Sequence, residues 1–263
     1  MADITEATAA AKPSEPVSDE DKRERRARAM YRKVESLDPD KHASLGLASP
    51  WRYDFASNTN ALPINAVEFI PAARHYPILF TGDDRSMPVV LLGIRQHQNL
   101  FVDAQGAWAE GCHVPAVARR YPFLIRRKDD GKDFTLCIDV GSHLVSDNSE
   151  RPLFEEGEPT KLASDAAKMC VAYARQQIPT RSFVNALKEN DLLVSRNVDL
   201  KMPKGERIEV RGFKVIDDKK LRELPADVVA EWWPKGWGAA AYAQIVSMGN
   251  FGRLLYRARR FDN

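Results

Sequence analysis

The sequence predicts an α+β fold with a mixed, mostly antiparallel sheet. A helical-turn/hairpin unit is used twice in the N-terminal half, and helices plus a hairpin fill the C-terminal half. Three observations predict this. Ala73-Arg74-His75-Tyr76-Pro77-Ile78-Leu79-Phe80 returns as Ala118-Arg119-Arg120-Tyr121-Pro122-Phe123-Leu124-Ile125. Around the turn Pro203-Lys204-Gly205-Glu206, apolar and charged residues alternate on both sides, as in a half-buried hairpin. Between them, Leu162, Ala166, Met169, Cys170 and Tyr173 fall at helical spacing.

The chain opens on an Ala-, Pro-, Ser- and Glu-rich stretch. It continues into Asp19-Glu20-Asp21-Lys22-Arg23-Glu24-Arg25-Arg26-Ala27-Arg28, where acid precedes base. That order suits a solvated helix. Residues 1–48 are expected to form a mobile charged arm whose marginal helix runs to Leu37 and stops at Asp38-Pro39. Residues 49–263 are expected to form a single globular domain.

In each copy of the repeat, a short helical turn must end before the proline, which lacks an N–H and pushes the preceding residue out of the α region. A strand follows, then an Asp/Gly turn, Gly82-Asp83-Asp84 or Asp129-Asp130-Gly131. The second strand is Pro88-Val89-Val90-Leu91-Leu92 or Phe134-Thr135-Leu136-Cys137-Ile138. Asn99-Leu100-Phe101-Val102-Asp103 reads as a further strand. Past Arg151, Pro179 is expected to break the helix carrying Tyr173, with Thr180 capping the next.

In the C-terminal hairpin, Ile208 and Val210 share one face, but Phe213 and Val215 have the opposite parity. A β-bulge at Gly212 accounts for the slip. Two helical stretches, about 218–231 and 238–258, close the chain. Gly249 and Gly252 sit inside the second, at a cost of about 1 kcal/mol each against Ala. Either the helix breaks there or something packs closely on its backbone.

Composition excludes several classes. Hydrophobic residues at 44% build a core, and 39 Lys plus Arg against 37 Asp plus Glu leave a net charge of +2. A general nucleic-acid or membrane-surface binder shows a marked basic excess. Cys112, Cys137 and Cys170 are too few and too scattered for a disulfide framework. The longest uncharged apolar run, near residues 87–94, is about eight residues, against roughly twenty for a membrane span. With no signal peptide apparent, a cytoplasmic location is expected, and signal-less export to the surface stays open.

Several blocks together resemble the bacterial SapC family. They are Asn65-Ala66-Val67-Glu68-Phe69, Tyr76-Pro77-Ile78-Leu79-Phe80, Met87-Pro88-Val89-Val90-Leu91-Leu92-Gly93 and Arg119-Arg120-Tyr121-Pro122-Phe123. Gly212-Phe213-Lys214-Val215 and Ser247-Met248-Gly249-Asn250-Phe251-Gly252-Arg253-Leu254 complete the order. The resemblance spans about residues 50–257. It implies a protein linked to a paracrystalline surface layer or to outer-membrane uptake, in a non-enzymatic accessory role. It does not imply the peptide-transporter permease of the same name.

Candidate sites follow from residue chemistry. Arg119-Arg120-Tyr121 places two guanidiniums beside a rigid proline, able to grip a carboxylate or phosphate. The same cations can simply cap helix carbonyls, as Arg74-His75 would in the other copy. Trp232-Trp233-Pro234-Lys235-Gly236-Trp237 clusters indoles in a loop, which suits either the core or a protein interface. His97, Asp103 and His113, with Cys112, are weak metal candidates that match no closed ligand motif. Asp103 and Asp139 each end a strand, positions that suit an acid–base pair or bonds to turn amides. Gly249-Asn250-Phe251-Gly252 with Arg253, Arg257, Arg259 and Arg260 resembles a nucleic-acid-binding Gly-x-x-Gly loop, but has no cation between the glycines.

The reading is a non-enzymatic binding protein that uses Arg119, Arg120, Tyr121, Trp232, Trp233 and Trp237 toward a protein or a small acidic ligand. No cofactor and no nucleic acid are expected, and homo-oligomerisation through the arm stays open. The alternative is a metal-dependent, iron or cupin-like enzyme acting on a peptide or small acid.

Overall fold

The computed structural model describes residues 30–127, 134–202 and 205–261. The first strands are β1 (Val34–Ser36), β2 (Leu45–Leu47) and β3 (Ala61–Pro63). The first copy of the repeat is α1 (Phe69–Ala73), β4 (Ile78–Thr81) and β5 (Pro88–Leu91). The second is α2 (Ala116–Arg119), β6 (Phe123–Arg127) and β7 (Phe134–Asp139). Then come β8 (Val145–Asp147), β9 (Phe154–Glu155), β10 (Glu158–Pro159) and the long helix α3 (Lys161–Glu189). The hairpin β11 (Leu193–Lys201) and β12 (Arg207–Ile216) follows, then α4 (Asp218–Arg222), α5 (Ala226–Trp232), α6 (Trp237–Ser247) and α7 (Asn250–Phe261).

The two repeat hairpins enter different sheets. β4 and β5 lie in a five-stranded antiparallel sheet of order β11-β12-β4-β5-β3, whereas β6 and β7 join β1 in the order β1-β7-β6. β2–β8 and β9–β10 are small pairs. An aromatic relay joins the two corners. Tyr76 accepts from Trp108 Nε1 at 2.9 Å, Trp108 meets Tyr53, Tyr53 meets Phe55, and Phe55 stacks on Tyr121 at 3.9 Å. Both corner tyrosines are buried, and each hydroxyl has a partner, as burial of a phenol requires.

Three expectations are corrected. The N-terminal arm does not extend to residue 48, and no helix reaches Leu37. Met30 and Tyr31 are buried, and β1 pairs with β7. The cause is Asp139, whose carboxylate accepts the Arg32 and Lys33 N–H groups at 2.9 and 2.7 Å and draws the chain onto the sheet. Residues 1–29 of the expected arm lie outside the described residues.

Residues 99–103 form one bridge, Val102 to Trp108, instead of a strand. The Asn99 side chain takes the Phe101 N–H, and Asp103 takes those of Gln105 and Ala107, so local bonds replace a ladder. Pro179 does not break the helix. α3 runs through it, with Thr180 donating to the Gln176 carbonyl at 2.7 Å rather than capping a new start. Burial of Cys170, Tyr173, Phe183 and Leu187 on both sides of the proline holds the helix together.

The bulge falls where parity places it. Arg196 faces Phe213 and Val198 faces Val210, so Asn197 opposes both Arg211 and Gly212, with Gly212 at φ 75°. The final helical stretch is interrupted between Ser247 and Asn250, which answers the question posed by Gly249. The side chains of α6 bind strand backbone. Gln244 donates to the Ile78 carbonyl and accepts the Ile216 N–H, while Ser247 accepts the Ile78 N–H. Among the described residues no helix is long and apolar enough to cross a membrane.

Candidate functional site

The expected Arg119–Arg120 pair does not converge. Arg119 is exposed, and its Nε donates to the Val114 carbonyl at 3.1 Å. Arg120 turns inward, its guanidinium 4.5 Å from the centre of the Tyr173 ring, with Nε buried and unbonded. Tyr121 is buried and donates to Asp139 Oδ2 at 3.0 Å. Asp139 also holds three backbone N–H groups, including that of Gly141, so its four contacts organise a turn. The tryptophans divide. Trp232 is buried against Phe183 and Trp237, Trp237 is half-buried, and Trp233 stands 82% exposed.

The metal candidates stay apart in role. His97 is exposed, Asp103 holds turn amides, and His113 Nε2 sits 3.0 Å from Glu68, which also accepts the Ala116 N–H. Among the described residues no group of three His, Cys, Asp or Glu side chains is placed to hold a metal.

A different feature has the geometry of a binding site. An open groove of about 600 Å³ runs between α7 and the segment Leu100–Ala109. Phe251, Leu254 and Ala258 bury one face of α7. The positions i, i+4 and i+7 that carry Arg253, Arg257 and Arg260 then line the groove together. Tyr256 and Phe261, 60% and 62% exposed, add apolar surface. Gly252 also lines it, and a Cβ placed there would meet nothing within 4 Å.

The start of α7 is fixed to the first repeat corner. Asn250 Nδ2 donates to the Ala73 and Tyr76 carbonyls, and Arg253 donates to the Arg74 carbonyl at 2.8 Å. These bonds satisfy carbonyls that α1 leaves open at its C-terminal end. Arg257 lies 4.3 Å from the centre of the Phe101 ring and donates to the Leu100 carbonyl at 3.4 Å. Phe101 is itself braced edge-on by Tyr76 at 4.6 Å.

The groove is cationic. No ion pair among the described residues involves Arg253, Arg257 or Arg260, and the acidic residue of the lining is Asp103, already engaged with turn amides. Burial holds the His75 pKa below the usual imidazole range, and the neighbouring Arg253 and Arg74 push it the same way. In sequence, Arg253, Arg257, Arg259 and Arg260 after Gly249-Asn250-Phe251-Gly252 resemble a nucleic-acid loop rather than one wall of a groove. Their helical spacing was the available signal, but the opposite wall lies far away in sequence.

The SapC family model matches residues 37–254. No curated protein and no solved structure matches the chain. Matched over most of its length, the chain belongs to the SapC family.

Proposed function

We propose that this SapC family protein is a non-enzymatic binding protein that captures a ligand bearing carboxylate or phosphate groups in the groove between α7 and Leu100–Ala109. One observation carries the reading: Arg253, Arg257 and Arg260 line one open groove and have no carboxylate partner among the described residues. Along the helix axis the backbone positions of Arg253 and Arg257 stand about 6 Å apart, and those of Arg257 and Arg260 about 4.5 Å. Two unit charges about 6 Å apart repel by about 0.7 kcal/mol even in bulk water. An anion between them replaces repulsion with charge-assisted, fork-shaped hydrogen bonds.

Arg253 and Arg257 are already held by backbone carbonyls, so less side-chain entropy is lost on binding. A role beside surface layers or outer-membrane uptake, implied by the family resemblance, belongs to the same proposal. The metal-dependent enzyme has no assembled ligand set among the described residues and is not carried forward.

Titration calorimetry with citrate, a compact tricarboxylate, tests the reading. Binding is expected to weaken about tenfold in Arg260→Gln and to fall further as salt rises. Citrate binding that is absent, or unchanged in Arg260→Gln, overturns it.

A further inference from the structure

We infer that the occupant of the groove is an extended acidic peptide segment, held by its main chain as well as by its carboxylates. This rests on the reading of the groove as an anion site and adds to it the unpaired backbone of Val102, a bridge residue on the groove wall. Val102 lines the groove and bridges Trp108. The flanking bonds are Asp103 N–H to the Ala107 carbonyl at 3.0 Å and Ala109 N–H to the Phe101 carbonyl at 2.7 Å. That pattern makes Val102–Trp108 a non-hydrogen-bonded antiparallel pair, so the N–H and C=O of Val102 point away from Trp108. Neither group has a hydrogen-bond partner among the described residues. An extended residue whose N–H and C=O are both unpaired can take one residue of another chain as a bridge partner.

The geometry matches an extended chain. Alternate residues of a strand lie about 6.7 Å apart and point to one side. The step from Arg253 to Arg257 along α7 is about 6 Å, and that from Arg257 to Arg260 about 4.5 Å. A segment with acids at alternate positions can therefore set successive carboxylates against the arginines while one of its residues pairs with Val102. Arginine stems take up the small difference in pitch.

Two observations favour a peptide over a nucleic acid. Phe101 is 2% exposed beneath Arg257, so it has no free face for a base. The chain's net charge of +2 also gives little long-range attraction for a polyanion.

Fluorescence anisotropy of the full chain decides it with three labelled probes. These are the peptide Ser-Glu-Ser-Glu-Ser-Glu-Ser, the same peptide N-methylated at alternate amides, and an oligothymidylate of similar length. The plain peptide is expected to bind, with loss of about tenfold or more on N-methylation and in Arg253→Gln. Equal binding of the methylated peptide removes the main-chain pairing and overturns the inference. Tighter binding of the oligothymidylate overturns it in favour of a nucleic acid. Absence of peptide binding while citrate still binds overturns the inference alone; absence of both removes the anion site as well.

Discussion

Arg257 lies with its guanidinium 4.3 Å from the centre of the Phe101 ring, a contact that joins residues far apart in sequence and ties α7 to the facing wall of the groove. It has two roles. Stacking on Phe101, the bond to the Leu100 carbonyl and a 3.7 Å bond to Cys112 Sγ hold α7 against the loop, and Arg257 also lines the groove. Arg260 has no such bonds, its nearest ring partner being Tyr256 at 6.0 Å. The two arginines separate stability from binding.

Arg257→Ala is expected to lower stability by about 1–2 kcal/mol, from the lost cation–π contact and packing. Arg260→Ala is expected to stay within about 0.5 kcal/mol of the wild type, as exposed substitutions do. Urea denaturation of both variants measures the difference. Equal losses would show that Phe101 does not hold Arg257.

Gly252→Leu is expected to fill the groove without disturbing the fold. A Cβ at this position meets nothing within 4 Å, and the site lies within α7. Helix propensity then raises stability by up to about 1 kcal/mol. Thermal unfolding should show a Tm at or above that of the wild type, and calorimetry should show citrate binding lost. Retained citrate affinity would place the anion elsewhere.

Asp139→Asn is expected to cost about 3 kcal/mol or more. Four donors converge on the carboxylate, and the amide of Asn brings a donor where an acceptor is needed. Tyr121→Phe removes one of the four and should cost about 1 kcal/mol. Hydrogen exchange should show the β1 amides losing protection first in Asp139→Asn. If β1 stays protected, Asp139 does not anchor it.

Alkaline pH is expected to destabilise the fold. Burial pushes the Tyr31 phenol up to about 12, with nearby Arg120 opposing the shift. Burial also raises Tyr76 and Tyr121. In the unfolded chain these phenols ionise near 10. Between pH 10 and 12 the unfolded state therefore releases protons that the folded state keeps. Stability from these groups is full below 10 and falls as pH rises through that window. Denaturation midpoints at graded alkaline pH, with phenolate absorbance, check the sign. A stability that is flat from 9 to 12 would contradict the burial.

Much of the fold was legible because it rests on local rules. Proline after Tyr76 and Tyr121 stops a helix in either copy, and the parity change at Gly212 demands an extra residue in one strand. The corrections came where tertiary contacts override local ones. Pro179 stays in α3 because both flanks of the helix are buried. The three residues of β1 carry little pattern of their own and pair only because Asp139 binds their approach. The site was half legible. Helical spacing places Arg253, Arg257 and Arg260 on one face, but the facing wall at Leu100–Ala109 comes from an irregular loop that no periodicity connects to α7. The divergence of Arg119 and Arg120 was not legible for a different reason: adjacent side chains at a helix end point apart, here one to solvent and one to the core.

The central claim is that anions bind at Arg253, Arg257 and Arg260. The most direct measurement is an NMR titration of citrate that follows the assigned arginine Nε–H resonances. The account predicts saturable shifts at Arg253, Arg257 and Arg260, with Arg119 and Arg120 unmoved. Shifts centred on Arg119 or Arg120, or no saturable shift at any of the three groove arginines, would contradict it.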